Sequence, residues 1–357
     1  MKKNLKLHRI LVALLTILVI YIGIRYSGFL TKNANIPRNG GTSSIVLSLE
    51  DNFKKNDYWS ANFNLLWNAL TDEMDSENIK NISSKNKKLI DNLNKKTFTK
   101  TNLKSDAYYN KYGYATEELK NAIAKDLKKK FNMNSEIIDN VDWNGEEYYM
   151  YSALYKNLKF KYKFQNLDKE MFKNKDGVAY FGLKKNGNKK IREQIRVLYY
   201  KDINNFAIKL ITTSDDEVIL SRGAKGNNFL EVYQNIQKNT ESYDGSLVFG
   251  KNDELKVPVI SFHNYEEIDD LNGVELPLTK EYEKIGKIIR DTSFKLDARG
   301  DKLMDKDAIA MQEELLDKDT RLFYLTSDFS LFIIEKNKDL PYFAMNVTDI
   351  GKFQSDL

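Results

Sequence analysis

The spacing of apolar residues changes along this 357-residue chain, and each change predicts a different element. Ile10 to Ile24 is apolar apart from Thr16 and Gly23; after Arg25, Tyr26, Phe29 and Leu30 prolong the run. That length suits a helix crossing a bilayer, with Arg25 snorkelling and Tyr21 and Tyr26 at the interface. Basic residues at 2–9 place the N-terminus in the cytoplasm. A cleaved signal peptide is the alternative. No small-x-small site follows the apolar core and no Cys is available for lipid attachment, so an uncleaved signal-anchor is expected. Residues 31–43, with Pro37 and Gly40-Gly41, have the composition of a flexible linker. The expected order is therefore a cytoplasmic segment 1–9, a transmembrane helix 10–30, a linker 31–43 and one extracellular domain, 44–357.

Within that domain, residues 44 to about 131 predict mainly helix. Ser44–Phe53 and Trp59–Met74 repeat apolar residues at helical spacing. Residues 76–106 are polar, with apolar islands at Leu89-Ile90 and Leu93. Thr116 is placed to cap a helix with Glu117 and Glu118 in its first turn and Leu119, Ala122, Ile123, Leu127 and Phe131 on one face. From Tyr148 the period shortens. Tyr148–Tyr155, Phe160–Phe164, Val178–Leu183, Ile195–Tyr200, Phe206–Thr212 and Leu255–Phe262 predict strands. Helices are expected at 227–239 and 279–290, and a hairpin at 322–347 closes the chain. Helices first and strands later predict an α+β fold.

Composition narrows the chemistry. There is no Cys, which removes disulfides, thiolate metal sites and a Cys nucleophile. Of two His, only His263 falls in the folded part, at an expected strand end, so a His-centred triad or His-rich metal site is hard to build. The net charge is +5, but Lys2, Lys3, Lys6, Arg9, Arg25, Lys32 and Arg38 all precede the first acid, Glu50. Subtracting those seven leaves −2 for the rest, which gives no nucleic-acid footprint. Gly223-Ala-Lys-Gly226 lacks the Lys-Ser/Thr pair of a phosphate loop. Gly245-Ser246 is a turn leading into a strand, not a nucleophile elbow. Asp297 to Asp307 lacks calcium-loop spacing. Asp215-Asp216-Glu217 and Glu266–Asp270 predict solvated turns, and Arg299-Gly300-Asp301 is a chance match to an adhesion tripeptide. Tyr148-Tyr149-Met150-Tyr151 and Tyr199-Tyr200 alternate faces, so half of each run is expected in the core. No metal, cofactor or catalytic residue is expected.

The C-terminal third carries the most specific pattern. Phe294-Lys-Leu-Asp-Ala-Arg-Gly300 precedes a charged loop; Phe329-Ser-Leu-Phe-Ile-Ile-Glu335, a Lys/Asp turn, and Pro341-Tyr-Phe-Ala-Met-Asn-Val347 follow. This resembles the end of the serpin family, where a strand leads through a Gly hinge into the reactive loop and a closing hairpin. Ala153–Phe164, Phe172 with Val178–Gly182, Val197–Lys201 with Phe206–Ile211, and Val257–Phe262 with Tyr265–Leu271 are similar to serpin segments in the same order. The resemblance spans about residues 148–350. It implies N-terminal helices packed on a large central, mostly antiparallel sheet.

The departures concern activity. Serpin trapping inserts the loop after the hinge Gly into the central sheet, which needs small residues facing inward. Here Gly300 is followed by Asp301 and Lys302, then Leu-Met-Asp-Lys-Asp-Ala-Ile-Ala. Inward charges are costly. The family's breach Trp corresponds to Phe160, and its sheet-opening Asn and His correspond to Ser152 and Arg290. The segment 273–290 is contracted, and 305–318 has apolar residues at helical spacing. The resemblance thus implies a serpin-like scaffold without trapping activity, and with the expected signal-anchor the reading is a membrane-anchored, extracellular, serpin-like binding protein. It would present 301–321 to an unidentified extracellular protein. One alternative is an active serine or cysteine protease inhibitor with Gln312, Glu313, Glu314, Leu315 and Leu316 as bait. Another is an unrelated extracellular binding or sensor domain. An enzyme is not expected.

Overall fold

The computed structural model describes residues 46–354 apart from 75–78, 80–81, 134–137, 139–140, 279–281 and 303–319. In chain order it runs β1 (Tyr58–Ser60), α1 (Ala61–Glu73), α2 (Ser84–Asn94), β2 (Tyr108–Thr116) and α3 (Glu117–Phe131). Then come β3 (Asn144–Asn157), β4 (Phe160–Tyr162), β5 (Gln165–Phe172), β6 (Lys175–Leu183), the short α4 (Lys189–Arg192) and β7 (Ile195–Asp202). Next are β8 (Asn205–Ile211), β9 (Asp216–Arg222), α5 (Phe229–Glu241), β10 (Glu254–Pro258), β11 (Ile260–Glu267) and β12 (Glu275–Leu276). The chain closes with β13 (Glu283–Leu296), β14 (Gly300–Lys302), β15 (Leu322–Tyr324), β16 (Phe329–Glu335) and β17 (Phe343–Val347).

These strands form three main sheets. One has the order β1-β17-β16-β9-β8-β7, a second β15-β10-β6-β5, and a third β11-β13-β3-β2 with β12 on β13. In the third sheet β13 and β3 are parallel and their flanking partners antiparallel. The parallel pairing resumes beyond a break, where β14 lies on β4. The first two sheets share one apolar core with α5. Phe63, Trp67 and Leu70 of α1 and Ile90 and Leu93 of α2, with Leu47, pack on one face of the third sheet around Met150 and Ile288. Leu119, Ile123 and Leu127 of α3 cover its other face, against Tyr149, Tyr151 and Tyr155.

Local chemistry explains the helix ends. The Thr116 side chain accepts from Leu119 N–H, and Glu117 and Glu118 occupy the first turn. Asn132 ends α3 in the left-handed region at φ 53°. Asn228 caps α5 by accepting from Glu231 N–H.

The β16–β17 hairpin, α3, α5 and the six runs predicted as strands from 148 onward lie where the sequence predicts them, but β5 and β9 were not anticipated: Asp216 and Glu217, expected in a solvated turn, open β9 with Asp216 buried, and Glu266 and Glu267 lie in β11. Leu255–Phe262 is two strands in different sheets, β10 and β11. Four further expectations are corrected. Residues 46–53 form turns and bends rather than helix. Residues 108–116, inside the region expected to be helical, form β2. The helix expected at 279–290 is strand β13 from Glu283 onward, because its apolar face packs on α1 as part of a sheet. His263 sits within β11 rather than at a strand end. Among the described residues no helix is long and apolar enough to cross a membrane. The expected spanning segment 10–30, the linker 31–43 and the helical spacing at 305–318 lie outside them.

Candidate functional site

The seam between β3 and β13 is the candidate site. Ile285 to Lys295 pairs with Tyr148 to Asn157, with one register shift between Ile285 and Lys287. Two of the residues singled out in the sequence meet here: Arg290 is the direct cross-strand partner of Ser152. Both are fully buried.

The N-terminus of α1 lies under this pair. Asn62 Nδ2 donates to Ser152 Oγ on β3 and to the Asp291 carbonyl on β13, each at 3.3 Å. Ser60 Oγ donates to Asn62 Oδ1 at 2.5 Å and lies 3.1 Å from Thr292 Oγ1. Because Ser60 gives its proton to Asn62, that second contact is donated by Thr292. The junction of β1 and α1 thus ties both central strands with hydrogen bonds shielded from water.

Arg290 carries the charge at this site. Its guanidinium lies 4.7 Å from the centre of the Tyr58 ring, and Nη2 is 3.7 Å from Glu266 Oε2. Tyr58 donates to Glu266 Oε2 at 3.2 Å, and Asn264 Nδ2 donates to Glu266 Oε1 at 2.6 Å. Burial raises the Glu266 carboxyl above its usual value, and the Arg290 charge opposes that shift. Burial also pushes the Tyr58 hydroxyl up.

The opposite face of the seam is polar too. Asp291 accepts from Tyr155 OH on β3, and its Oδ1 lies 3.2 Å from His263 Nε2 on β11. Asp291 therefore connects three adjacent strands. Burial, then the Asp291 charge, holds the Tyr155 hydroxyl well above its usual range.

Beyond the seam, Phe160 is fully buried on β4, edge-on to Phe164 at 4.7 Å. Phe160 N–H donates to the Arg299 carbonyl at 3.0 Å, and Gly300 is its cross-strand partner. A Cβ on Gly300 would fall 2.2 Å from the Lys163 backbone nitrogen, so only Gly allows this approach. Asp301 and Lys302 continue β14. Gln312, Glu313, Glu314, Leu315 and Leu316 lie outside the described residues.

Sequence reasoning did not single out Ser60, Asn62, Asp291 or Thr292. A signal was present: Asn62, Asn64 and Asn68 punctuate the otherwise apolar stretch Ala61–Leu70 of α1, and all three are buried. Among the described residues no group of three or more His, Cys, Asp or Glu could hold a metal ion.

No family model matches the sequence, and no curated protein does. Solved structures do. A thermophilic serpin, tengpin, in the native state matches with a TM-score of 0.52 at 12% identity, over 89% of this chain and all of that one. Native protease nexin-1, solved with heparin, matches with a TM-score of 0.51 at 10% identity, over 83% of this chain and 92% of that one. The fold is serpin-like. In this serpin-like frame the closed seam is the place where the sequence resemblance puts the family's sheet-opening positions, here Ser152 and Arg290.

Proposed function

We propose that this chain is a membrane-anchored, extracellular, serpin-like binding protein that is not an enzyme and does not trap proteases. The observation that carries this reading is the charge built into the seam and the strand that would have to enter it. Trapping would drive the segment after Gly300 between β3 and β13. That movement breaks the Asn62 contacts to Ser152 and Asp291. It also brings Asp301, Lys302, Asp305 and Lys306 to a sheet already holding a buried Arg290. Uncompensated buried charges cost several kcal/mol each, on the order of 3–5. The segment 301–321 serves instead as a charged surface presented to a protein partner outside the cell. The basic residues before Ile10, the apolar run to Leu30 and the polar linker support a single-pass anchor.

Incubation with serine and cysteine proteases tests this reading. The expected result is nicking within 301–321 with no SDS-stable complex and no rise in thermal midpoint after cleavage. An SDS-stable complex, or a large gain in stability on cleavage, overturns it in favour of an active inhibitor.

A further inference from the structure

Strand β7 forms one edge of the six-stranded sheet, and the loop 243–249 lies along it. Val197 N–H donates to the Leu247 carbonyl at 3.0 Å, and Arg196 bridges to Val248. Leu247 and Val248 are 48% and 59% exposed. The loop is held in that state by Arg321, which is buried and donates to the carbonyls of Ser246 and Val248, each at 2.6 Å. Asp253 secures Arg321 in turn, with Oδ2 2.6 Å from Nη2. A buried ion pair thus fixes the backbone while two aliphatic side chains face solvent.

Cations line the cleft beside Val248. A cleft of about 200 Å³ is lined by Lys189, Arg192, Glu193, Arg196, Val248 and Phe249, among others. Nearby, Lys161 Nζ and Lys190 Nζ stand 5.6 and 5.8 Å from the centre of the Tyr162 ring. Gln194 holds the Tyr162 backbone with hydrogen bonds at 2.6 and 2.9 Å. Among the described residues, Lys161, Lys189, Lys190 and Arg196 form no ion pair. Two ammonium groups beside one ring, neither in an ion pair with a described residue, leave a positive potential that an external anion would neutralise.

We propose that this corner docks on an anionic phospholipid bilayer. Leu247 and Val248 enter the interface, and Lys161, Lys189, Lys190 and Arg196 meet headgroup phosphates. An exposed aliphatic pair beside a cleft where Lys189, Arg192 and Arg196 outnumber Glu193 is complementary to that surface, with Asp244 as the loop's own acid facing solvent; a soluble polyanion would leave the aliphatic pair without a role. The choice of a bilayer over an acidic protein also rests on the anchor proposed above. Leu230 N–H at the start of α5 donates to the Leu49 carbonyl, and the loop 243–249 leaves the other end of that helix. The 13 residues of α5 span about 20 Å. Linker residues 31–43 reach up to about 45 Å, enough to lay this corner on the membrane.

The chain has no Cys, so single labels are available without other changes. The full chain carrying Val248→Cys with an environment-sensitive dye is mixed with phosphatidylcholine vesicles containing about 30% phosphatidylserine. A blue shift is expected there, absent with pure phosphatidylcholine and absent for a dye on Met171→Cys in β5. Adding Lys189→Glu, Lys190→Glu and Arg196→Glu is expected to reduce the shift roughly tenfold. No shift at 248, an equal shift on neutral vesicles, or an equal shift at 171 overturns the proposal. Flotation on neutral vesicles tests the anchor separately. A chain that floats without the shift keeps the anchor and loses the docking. A shift without flotation keeps the docking and loses the anchor.

Discussion

The guanidinium of Arg290 lies 4.7 Å from the centre of the Tyr58 ring, with no solvent exposure on either residue. A charge at this depth is tolerated because the ring face and the Glu266 carboxylate offset part of its desolvation. Arg290→Met keeps much of the volume and removes the charge, leaving Glu266 buried without its cation. The expected loss is about 3 kcal/mol in urea unfolding. Adding Glu266→Gln to Arg290→Met is expected to restore a measurable part of that loss, because the orphaned charge is then gone.

Glu266 also predicts a pH dependence. Burial raises its folded-state pKa above the ordinary 4.5, so the folded protein holds this proton where the unfolded chain releases it. Its contribution is therefore fully present below about pH 4.5 and is lost as pH rises through the folded value. Unfolding of wild type and Glu266→Gln across that window checks the sign. Relative to the variant, wild type should lose stability as pH rises.

Asn62 donates from α1 to both central strands, β3 and β13. Asn62→Ala removes two donated bonds and leaves Ser60 Oγ without its acceptor. The expected cost is roughly 1–3 kcal/mol. Hydrogen exchange should quicken along β3 and β13 more than in the β16–β17 hairpin.

Gly300 is required by close packing, since the Lys163 backbone nitrogen would stand 2.2 Å from a Cβ at this position. Gly300→Ala is expected to displace β14 from β4 at a cost of about 1–3 kcal/mol. Thermal unfolding reads the loss, and faster exchange at the Phe160 amide locates it.

Arg321 binds Asp253 through two nitrogens, Nε at 3.2 Å and Nη2 at 2.6 Å. Lys cannot reproduce that fork. Arg321→Lys should therefore recover little of the stability that Arg321→Ala loses, about 3–5 kcal/mol. Urea unfolding of the two variants makes the comparison.

Particular residues show how far the fold was legible. Phe329–Glu335 and Phe343–Val347 were readable because buried apolar runs around a Lys/Asp turn have few other solutions. β13 was not. Ile285, Ile288 and Ile289 have helical spacing, yet the register shift after Ile285 restores Ile285 and Ile288 to one face of a strand. β2 was hidden for another reason. In Tyr108–Thr116 only Tyr109 and Ala115 are buried, too few for a visible two-residue period.

The sequence by itself determined the class of the fold and the charged residues that follow Gly300, since periodicity and charge are properties of short segments. It also placed Ser152 and Arg290 as positions of interest through resemblance. Tertiary structure alone decided that these two face each other across a parallel seam, that Asn62 ties that seam to α1, and that Arg290 rests on Tyr58. Tyr58 and Arg290 are more than two hundred positions apart in the chain. Local pattern holds no information about such a pair, because the contact exists only once two sheets and a helix have closed around it.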